Sequence, residues 1–102
     1  VVVVHHPLYD HDAALLDADR LLAILQPRRQ VKAVVTGHYH AWRVGTIGRL
    51  HTVGLPALGF AFEPGEPTGW VEARFDAAGA ALRLRATGRA DADDERRLVW
   101  RP

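Results

Sequence analysis

The sequence predicts an α/β fold in which a parallel sheet with one main helix is followed by β-hairpins. Two short, uninterrupted apolar runs, residues 1–4 and 31–36, have the pattern of strands that are covered on both faces. An amphipathic segment lies between them, which is the arrangement of a βαβ unit. Farther along the chain, apolar and charged residues alternate with a period of two, which is typical of antiparallel strands with one solvent face.

The first three predicted elements are a strand at residues 1–4, a helix at about residues 14–26 and a strand at residues 31–36. The first strand ends because Pro7 restricts the preceding residue to extended backbone. The apolar residues that recur on one face of the helix are Leu15, Ala18, Leu22 and Leu25. Its candidate N-caps are Asp10, Asp12 and Asp17. Pro27 is expected to end the helix.

The chain beyond residue 40 is predicted to form short antiparallel strands. They lie at residues 41–47, 49–53, 58–62, 70–75 and 82–84. Gly48 and residues 76–79 provide the turns of two hairpins. Residues 89–97 are expected to be a charged, solvated connection, with 98–100 as a last strand. Residues 1–87 would then form the domain, and residues 88–102 a charged tail that contains this strand.

Composition excludes several classes of function. The 102 residues carry a net charge of +1, so the charge balance does not predict electrostatic binding to nucleic acid or to an anionic membrane. No apolar run is long enough to span a bilayer. The chain contains no cysteine, which excludes disulfides and thiolate metal sites, and no serine, which excludes a serine nucleophile. Any metal must therefore be held by histidine and oxygen ligands.

The chain opens inside an apolar strand with no polar residue before it. A strand that is covered on both faces needs a neighbour on each side. We therefore expect this chain to be the C-terminal part of a longer protein and to need an N-terminal half.

Histidines follow both of the buried strands. His38 and His40, in Gly37-His38-Tyr39-His40, come directly after the second strand. If the backbone is extended there, residues two apart point to the same side, so both imidazoles can face one site. Gly37 permits a close backbone approach just before them. The pattern indicates a metal site with a hydrolytic or Lewis-acid role, against the alternative of two histidines on an ordinary strand end that bind nothing.

His5-His6-Pro7 occupies the corresponding position after the first strand. Because the carboxyl ends of parallel strands meet at one edge of a sheet, these imidazoles are expected near His38 and His40. Extended backbone would send His5 and His6 to opposite faces, so that one of them enters the site. The other would support a ligand, face the substrate or pack.

Other polar and aromatic residues near these motifs are assigned ordinary roles. Tyr39 is expected to point away from its neighbouring histidines and to pack. His51 is expected to be a half-buried strand residue, and His11 to lie in a solvated loop before the helix. Trp42 is expected to pack and Arg43 to be an exposed cation.

Together, the valine strand ending in His5-His6-Pro7, the helix, and the strand ending in Gly37-His38-Tyr39-His40 resemble the calcineurin-like metallophosphoesterase family. The likeness runs from residue 1 to about residue 86 and covers the C-terminal half of that family's domain. It implies a four-layered αββα sandwich that hydrolyses phosphate esters with two metal ions (Mn, Fe or Zn) about 4 Å apart. It also implies that His5 and His38 bind one ion and that His40 binds the other. His6 is the candidate supporting residue, and no catalytic residue is assigned in this half.

The family's N-terminal motifs, Asp-x-His, Gly-Asp-x-x-Asp and Gly-Asn-His-Asp/Glu, are missing from the chain. They supply the bridging carboxylate and other ligands. Three imidazoles without that carboxylate should hold two cations poorly, because the cations repel each other. We therefore expect the chain alone to bind metal weakly and to be inactive. Two alternatives stay open: a non-catalytic interaction module with this fold, and a mononuclear zinc hydrolase that uses His38, His40 and one further ligand.

Overall fold

The computed structural model describes residues 1–9, 14–87 and 93–102. Within these ranges the chain forms one helix, α1 (Ala18–Leu25), and seven strands. The strands are β1 (Val2–Val4), β2 (Ala33–Thr36), β3 (Arg43–Ile47), β4 (Leu50–Gly54), β5 (Gly69–Phe75), β6 (Gly79–Ala86) and β7 (Asp94–Val99). No helix in this described part of the chain is long and apolar enough to cross a bilayer.

The strands form two sheets. The first has the order β1-β2-β4-β3, in which β2 is parallel to both β1 and β4, and β3 is antiparallel to β4. Helix α1 connects the parallel neighbours β1 and β2, as predicted for a βαβ unit. The β3–β4 hairpin turns at Gly48, whose φ of 58° is in the left-handed region that glycine adopts without strain. The second sheet is antiparallel, with the order β5-β6-β7.

Two apolar clusters hold the layers together. The cluster between α1 and the first sheet contains Leu8, Ala18, Leu22, Leu25, Val34 and Leu50. The cluster between the two sheets contains Trp42, Val53, Ala80, Leu82, Leu84 and Leu98. Successive residues of β2 point to opposite faces, so Val34 packs under the helix while Val35 packs toward the second sheet. The layers are therefore helix, sheet and sheet, in that order.

Helix α1 begins later than predicted, at Ala18 instead of residue 14. The backbone N–H of Leu15 donates to the carbonyl oxygen of Pro7 over 2.8 Å. This bond holds Leu15 against the segment that follows β1, so the helix begins after it. Asp17 occupies the N-cap position but makes no side-chain cap hydrogen bond among the described residues. The other candidate caps, Asp10 and Asp12, and also His11, lie outside the described residues.

Two sequence predictions in the second half of the chain are wrong. Residues 58–62 form a loop instead of a strand, and the side chains of Leu58, Phe60 and Phe62 are exposed. Residues 94–97 belong to β7 instead of a solvated connection, because charged side chains suit the solvent face of an edge strand. Glu95, for example, lies directly opposite Arg83 on β6, with 3.5 Å between their charged atoms.

Strand β7 is fixed to the first sheet by two polar contacts. The buried indole of Trp42 donates from Nε1 to Asp94 Oδ2 over 2.8 Å. His51, which is 8% exposed and so more buried than predicted, donates from Nε2 to the carbonyl oxygen of Val99 over 2.8 Å. Because a carbonyl can only accept, Nε2 is the nitrogen of His51 that carries the proton. His51 is thus a structural residue that joins the sheets.

Arg49 closes the C-terminal end of α1. Its guanidinium donates to the carbonyl oxygens of Leu25, Gln26, Arg28 and Val31. The last carbonyls of a helix have no partner within the helix, and a planar guanidinium with five N–H groups can satisfy several at once. The β3–β4 hairpin is thereby tied to the end of the helix and to the segment that leads into β2.

We predict that Arg49→Ala lowers the free energy of unfolding by about 2–3 kcal/mol, because it leaves part-buried carbonyls without a charged donor. Urea denaturation followed by circular dichroism measures this. Arg20→Ala, which removes an exposed arginine of α1, should change the free energy by less than about 0.5 kcal/mol. Equal losses in the two variants would contradict the role given to Arg49.

We also predict a dependence of stability on pH through Asp94. The hydrogen bond from Trp42, and after it the one from Arg96, lowers the pKa of the Asp94 carboxyl. A carboxyl with a lowered folded-state pKa stabilises the fold above its ordinary pKa, about 3.9, and that contribution is lost as the pH falls. Asp94→Asn should therefore destabilise the protein at pH 7 and reduce the loss of stability on acidification. A thermal-unfolding series from pH 7 to pH 2 measures both.

Candidate metal centre

The ends of β1 and β2 bring the two histidine motifs together. The strands are parallel and in a register that pairs Val4 with Thr36, so His5 and Gly37 follow at the same edge of the sheet. The N–H of Gly37 donates to the carbonyl oxygen of His5 over 2.9 Å, which extends the pairing one step beyond the strands. The backbone thus carries His38 to within reach of His5.

Three imidazoles form one cluster at this edge. The ring centroids of His5 and His38 are 5.2 Å apart, those of His6 and His38 are 5.1 Å apart, and those of His5 and His6 are 5.2 Å apart. The prediction that His5 and His6 point to opposite faces is wrong, because the backbone bends directly after Val4 and is no longer extended. His6 therefore lies as close to His38 as His5 does.

One contact in this cluster joins two possible ligand atoms. His5 Nε2 and His38 Nδ1 are 3.3 Å apart. Two nitrogens bound to the same tetrahedral zinc at about 2.0–2.1 Å would be roughly 3.3–3.4 Å apart. The pair therefore has the spacing of two neighbouring ligands on one ion. A Cβ at Gly37 would lie 3.4 Å from His5 Nδ1, which is an ordinary van der Waals contact, so the His5 ring does not itself require glycine at this position.

His40 lies in different surroundings, against the loop that follows β4. Its Nδ1 donates to the carbonyl oxygen of Phe60 over 2.9 Å. Its ring stacks on Phe62 with 4.1 Å between centroids and contacts Phe60 edge-on at 4.8 Å. Since Nδ1 carries the proton, Nε2 is the nitrogen with the free lone pair. Metal-binding histidines are usually oriented by such a bond from the other ring nitrogen to a carbonyl or carboxylate.

The backbone of this motif is left-handed, with a φ of 75° at His38 and 53° at His40. The prediction that an extended backbone points both imidazoles to one side is therefore wrong. Tyr39 does not point away either, because its ring centroid lies 5.8 Å from that of His38. A left-handed conformation costs a residue with a Cβ about 1–2 kcal/mol, and residues held in this way are concentrated at functional sites.

The donor set fits part of the predicted two-ion centre and not the whole. In residues 1–9, 14–87 and 93–102, no group of three or more His, Asp or Glu side chains is arranged to hold a metal ion. Two cations about 4 Å apart need anionic ligands to offset their repulsion, and the cluster of His5, His6 and His38 consists of imidazoles alone. His5 and His6 are exposed, so further ligands can reach them from outside.

The sequence pattern does not reveal the aromatic loop beside His40. It predicts a strand at residues 58–62, whereas Phe60 and Phe62 lie in the loop after β4, the third parallel strand of the first sheet. Loops at the carboxyl ends of parallel strands surround the ligand sites of such sheets. Recognising residues 50–54 as parallel to β2 would have placed this loop at the site, but the hairpin pattern gave no sign of that pairing.

Comparison with known proteins supports the fold. No protein-family model matches the sequence, and no curated protein matches it. A single-substitution variant of Vps29 from Entamoeba histolytica superposes with a TM-score of 0.56 and 15% identity, over 94% of this chain and 53% of that one. Wild-type Vps29 from the same organism, in complex with Zn²⁺, gives a TM-score of 0.55 and 15% identity, over 88% and 49%.

The chain therefore spans about half the length of these Vps29 structures. At 15% identity the likeness shows the fold alone. The predicted α/β fold class is confirmed by this likeness to the Vps29 fold, and the histidine ligands stay a prediction.

The left-handed backbone generates a test of strain at the motif. We predict that His38→Gly is more stable than His38→Ala by about 1 kcal/mol, because both remove the imidazole but only glycine adopts a φ of 75° without a steric penalty. Urea denaturation of the two variants measures the difference. Higher stability of the alanine variant would mean that the backbone at residue 38 is not left-handed.

Proposed function

We propose that this chain supplies imidazole ligands to a metal centre that hydrolyses phosphate esters. In this proposal His5 and His38 bind one ion and His40 binds a second. The carboxylate ligands come from polypeptide outside these 102 residues. A bound pair of divalent ions provides an activated water and stabilises the charge that develops on the phosphoryl oxygens.

The proposal depends chiefly on the 3.3 Å separation of His5 Nε2 and His38 Nδ1. The two histidines are 33 positions apart in the sequence and come from different strands. One hydrogen bond between two exposed imidazoles contributes little to the stability of the fold. Fold stability therefore does not account for the close approach of His5 and His38. A shared cation would account for the convergence of the two side chains, because neutral imidazole is a good ligand for zinc, iron and related ions.

The orientation of His40 adds support. The carbonyl of Phe60 holds the proton on Nδ1 and leaves Nε2 free. The Zn²⁺ complex of the structurally similar Vps29 from Entamoeba histolytica is consistent with metal binding by this fold. Phosphate esters are the proposed substrates because a pair of ions, if bound here, would suit in-line displacement at phosphorus.

A metal-free interaction module is the second candidate. It is favoured by the lack of a three-ligand group among the described residues. In that case the cluster of His5, His6 and His38 would be a remnant of the fold. The two candidates differ in whether His5 and His38 respond together to a divalent cation.

We predict that Zn²⁺ shifts the side-chain ¹⁵N resonances of His5 Nε2 and His38 Nδ1 together, along one binding curve that fits a single ion per chain. Long-range ¹H–¹⁵N spectra of the chain measure this at pH 7.5. His51 is an internal control in the same spectra, because its ring is buried and already donates to Val99. The affinity should be weak, since no carboxylate of the described residues joins the pair, and His5→Ala or His38→Ala should lower it by about tenfold.

Shifts at His5 without His38, or equal broadening of all imidazoles including that of His51, would contradict a shared ion. A single-ion binding curve with His38 and His40 shifting together, and His5 unchanged, would favour the mononuclear zinc alternative.

A further prediction concerns turnover in a protein that contains this chain together with its carboxylate ligands. There, His38→Ala and His40→Ala should each lower kcat/KM for an aryl phosphate ester by at least about a hundredfold, because each removes a ligand of the centre. His51→Ala should lower it little in molecules that remain folded. Equal losses at all three positions, with equal losses of thermal stability, would indicate a folding defect instead of lost chemistry.

A further inference from the structure

A cavity of about 740 Å³ opens beside the candidate metal centre. It extends from the carboxyl ends of the first sheet's parallel strands, beside the segment after β1 and the loops after β2 and β4, along β4 to Ile47 at the end of β3. The lining residues that matter for its chemistry are Pro7, Tyr9, Tyr39, Arg43, Ile47 and Phe62. We call this space the side cavity. Its size is in the range of small-molecule sites in proteins, about 300–1,000 Å³.

The walls of the side cavity touch the imidazoles. Tyr39 contacts the ring of His38, with 5.8 Å between centroids. Phe62 stacks on the ring of His40 at 4.1 Å. One wall therefore adjoins a predicted ligand of each ion. A molecule whose phosphate lay between His38 and His40 would have its organic group next to Tyr39 and Phe62.

The lining of the side cavity is unsuited to a second anionic group. Its cation, Arg43, is engaged by Glu66 in an ion pair, which raises the pKa of the arginine. Glu63, also in the lining, carries a negative charge. The remaining side chains that face the space are mainly aromatic or aliphatic. Stacking and apolar contact are the interactions that such walls provide.

We propose that the side cavity binds a neutral aromatic group, and that this group is the organic part of the phosphate ester. That this group belongs to the phosphate ester rests on the proposed function. That the side cavity binds a neutral aromatic group does not. Tyr39 and Phe62 are the specificity-determining residues, because they are the aromatic side chains that join the cavity to the imidazoles. Aryl and nucleoside esters would be preferred to sugar phosphates, whose polar groups would lose water against these walls.

The test uses 1-naphthol as a phosphate-free probe, titrated into the whole chain in the presence of EDTA. Two-dimensional ¹H–¹⁵N spectra should show saturable shifts at residues 37–41 and 62–63. Tyr39→Ala and Phe62→Ala should each raise the Kd by about fivefold, the value of one lost aromatic contact. Tyr39→Phe should bind as the wild type does. Ribose 5-phosphate should not displace the probe.

Leu58→Ala is the first control for Phe62→Ala. Leu58 lies in the same loop and is 66% exposed, but it is not among the side-cavity lining. Phe75→Ala is the second control, because Phe75 lines a separate apolar groove with Val1 and Val3 between the two sheets. Both control variants should bind the probe with a Kd within about twofold of the wild type, as expected for residues outside the contact.

Shifts centred on Val3 and Phe75, with loss of binding in Phe75→Ala, would overturn the proposal by placing the probe in the other groove. Displacement by ribose 5-phosphate would overturn the assignment to an aromatic group. Because the titration contains no metal, a positive result together with failed Zn²⁺ binding would refute the proposed function and leave the aromatic site in place. Should Tyr39→Ala or Phe62→Ala unfold, the shift map of the wild type decides between the two locations.

Discussion

The parallel pairing of β1 with β2 is the constraint on which the site depends. Its register sets Val4 beside Thr36, and the bond from the Gly37 N–H to the His5 carbonyl carries the alignment past the strand ends. A slip of one residue would exchange the two faces of the valine strand and move His5 away from His38. Packing under α1 and toward the second sheet resists such a slip, so the apolar layers position the imidazoles.

In the proposed centre, electrostatics would divide the ligands between this chain and polypeptide outside it. Imidazoles provide neutral ligands and can approach each other closely, as the 3.3 Å contact of His5 and His38 illustrates. They cannot offset the repulsion of two cations, which requires carboxylates. The exposure of His5 and His6 leaves space for those ligands. The aromatic residues beside His40 give the same edge of the sheet an apolar wall. A site that binds the charged phosphate would then lie next to a surface that contacts the organic group of the substrate.

Sequence patterns predicted the parts of the fold that depend on local periodicity. The valine runs predicted β1 and β2, and the alternation at 70–75 predicted β5, because those patterns reflect burial on two faces or one. Patterns failed where distant contacts decide the structure. The left-handed backbone at His38, the four carbonyls around Arg49 and the place of Phe62 all depend on partners far along the chain. The charges of β7 suggested a solvated connection, although an edge strand carries charges equally well.

In the proposed centre His5 and His38 share one cation. An anomalous-difference map, recorded at the zinc absorption edge from crystals of this chain grown with Zn²⁺, tests this. A shared ion would give a peak within about 2.0–2.1 Å of both His5 Nε2 and His38 Nδ1. A peak bonded to one of these nitrogens with the other turned away, or zinc bound only elsewhere on the surface, would contradict it.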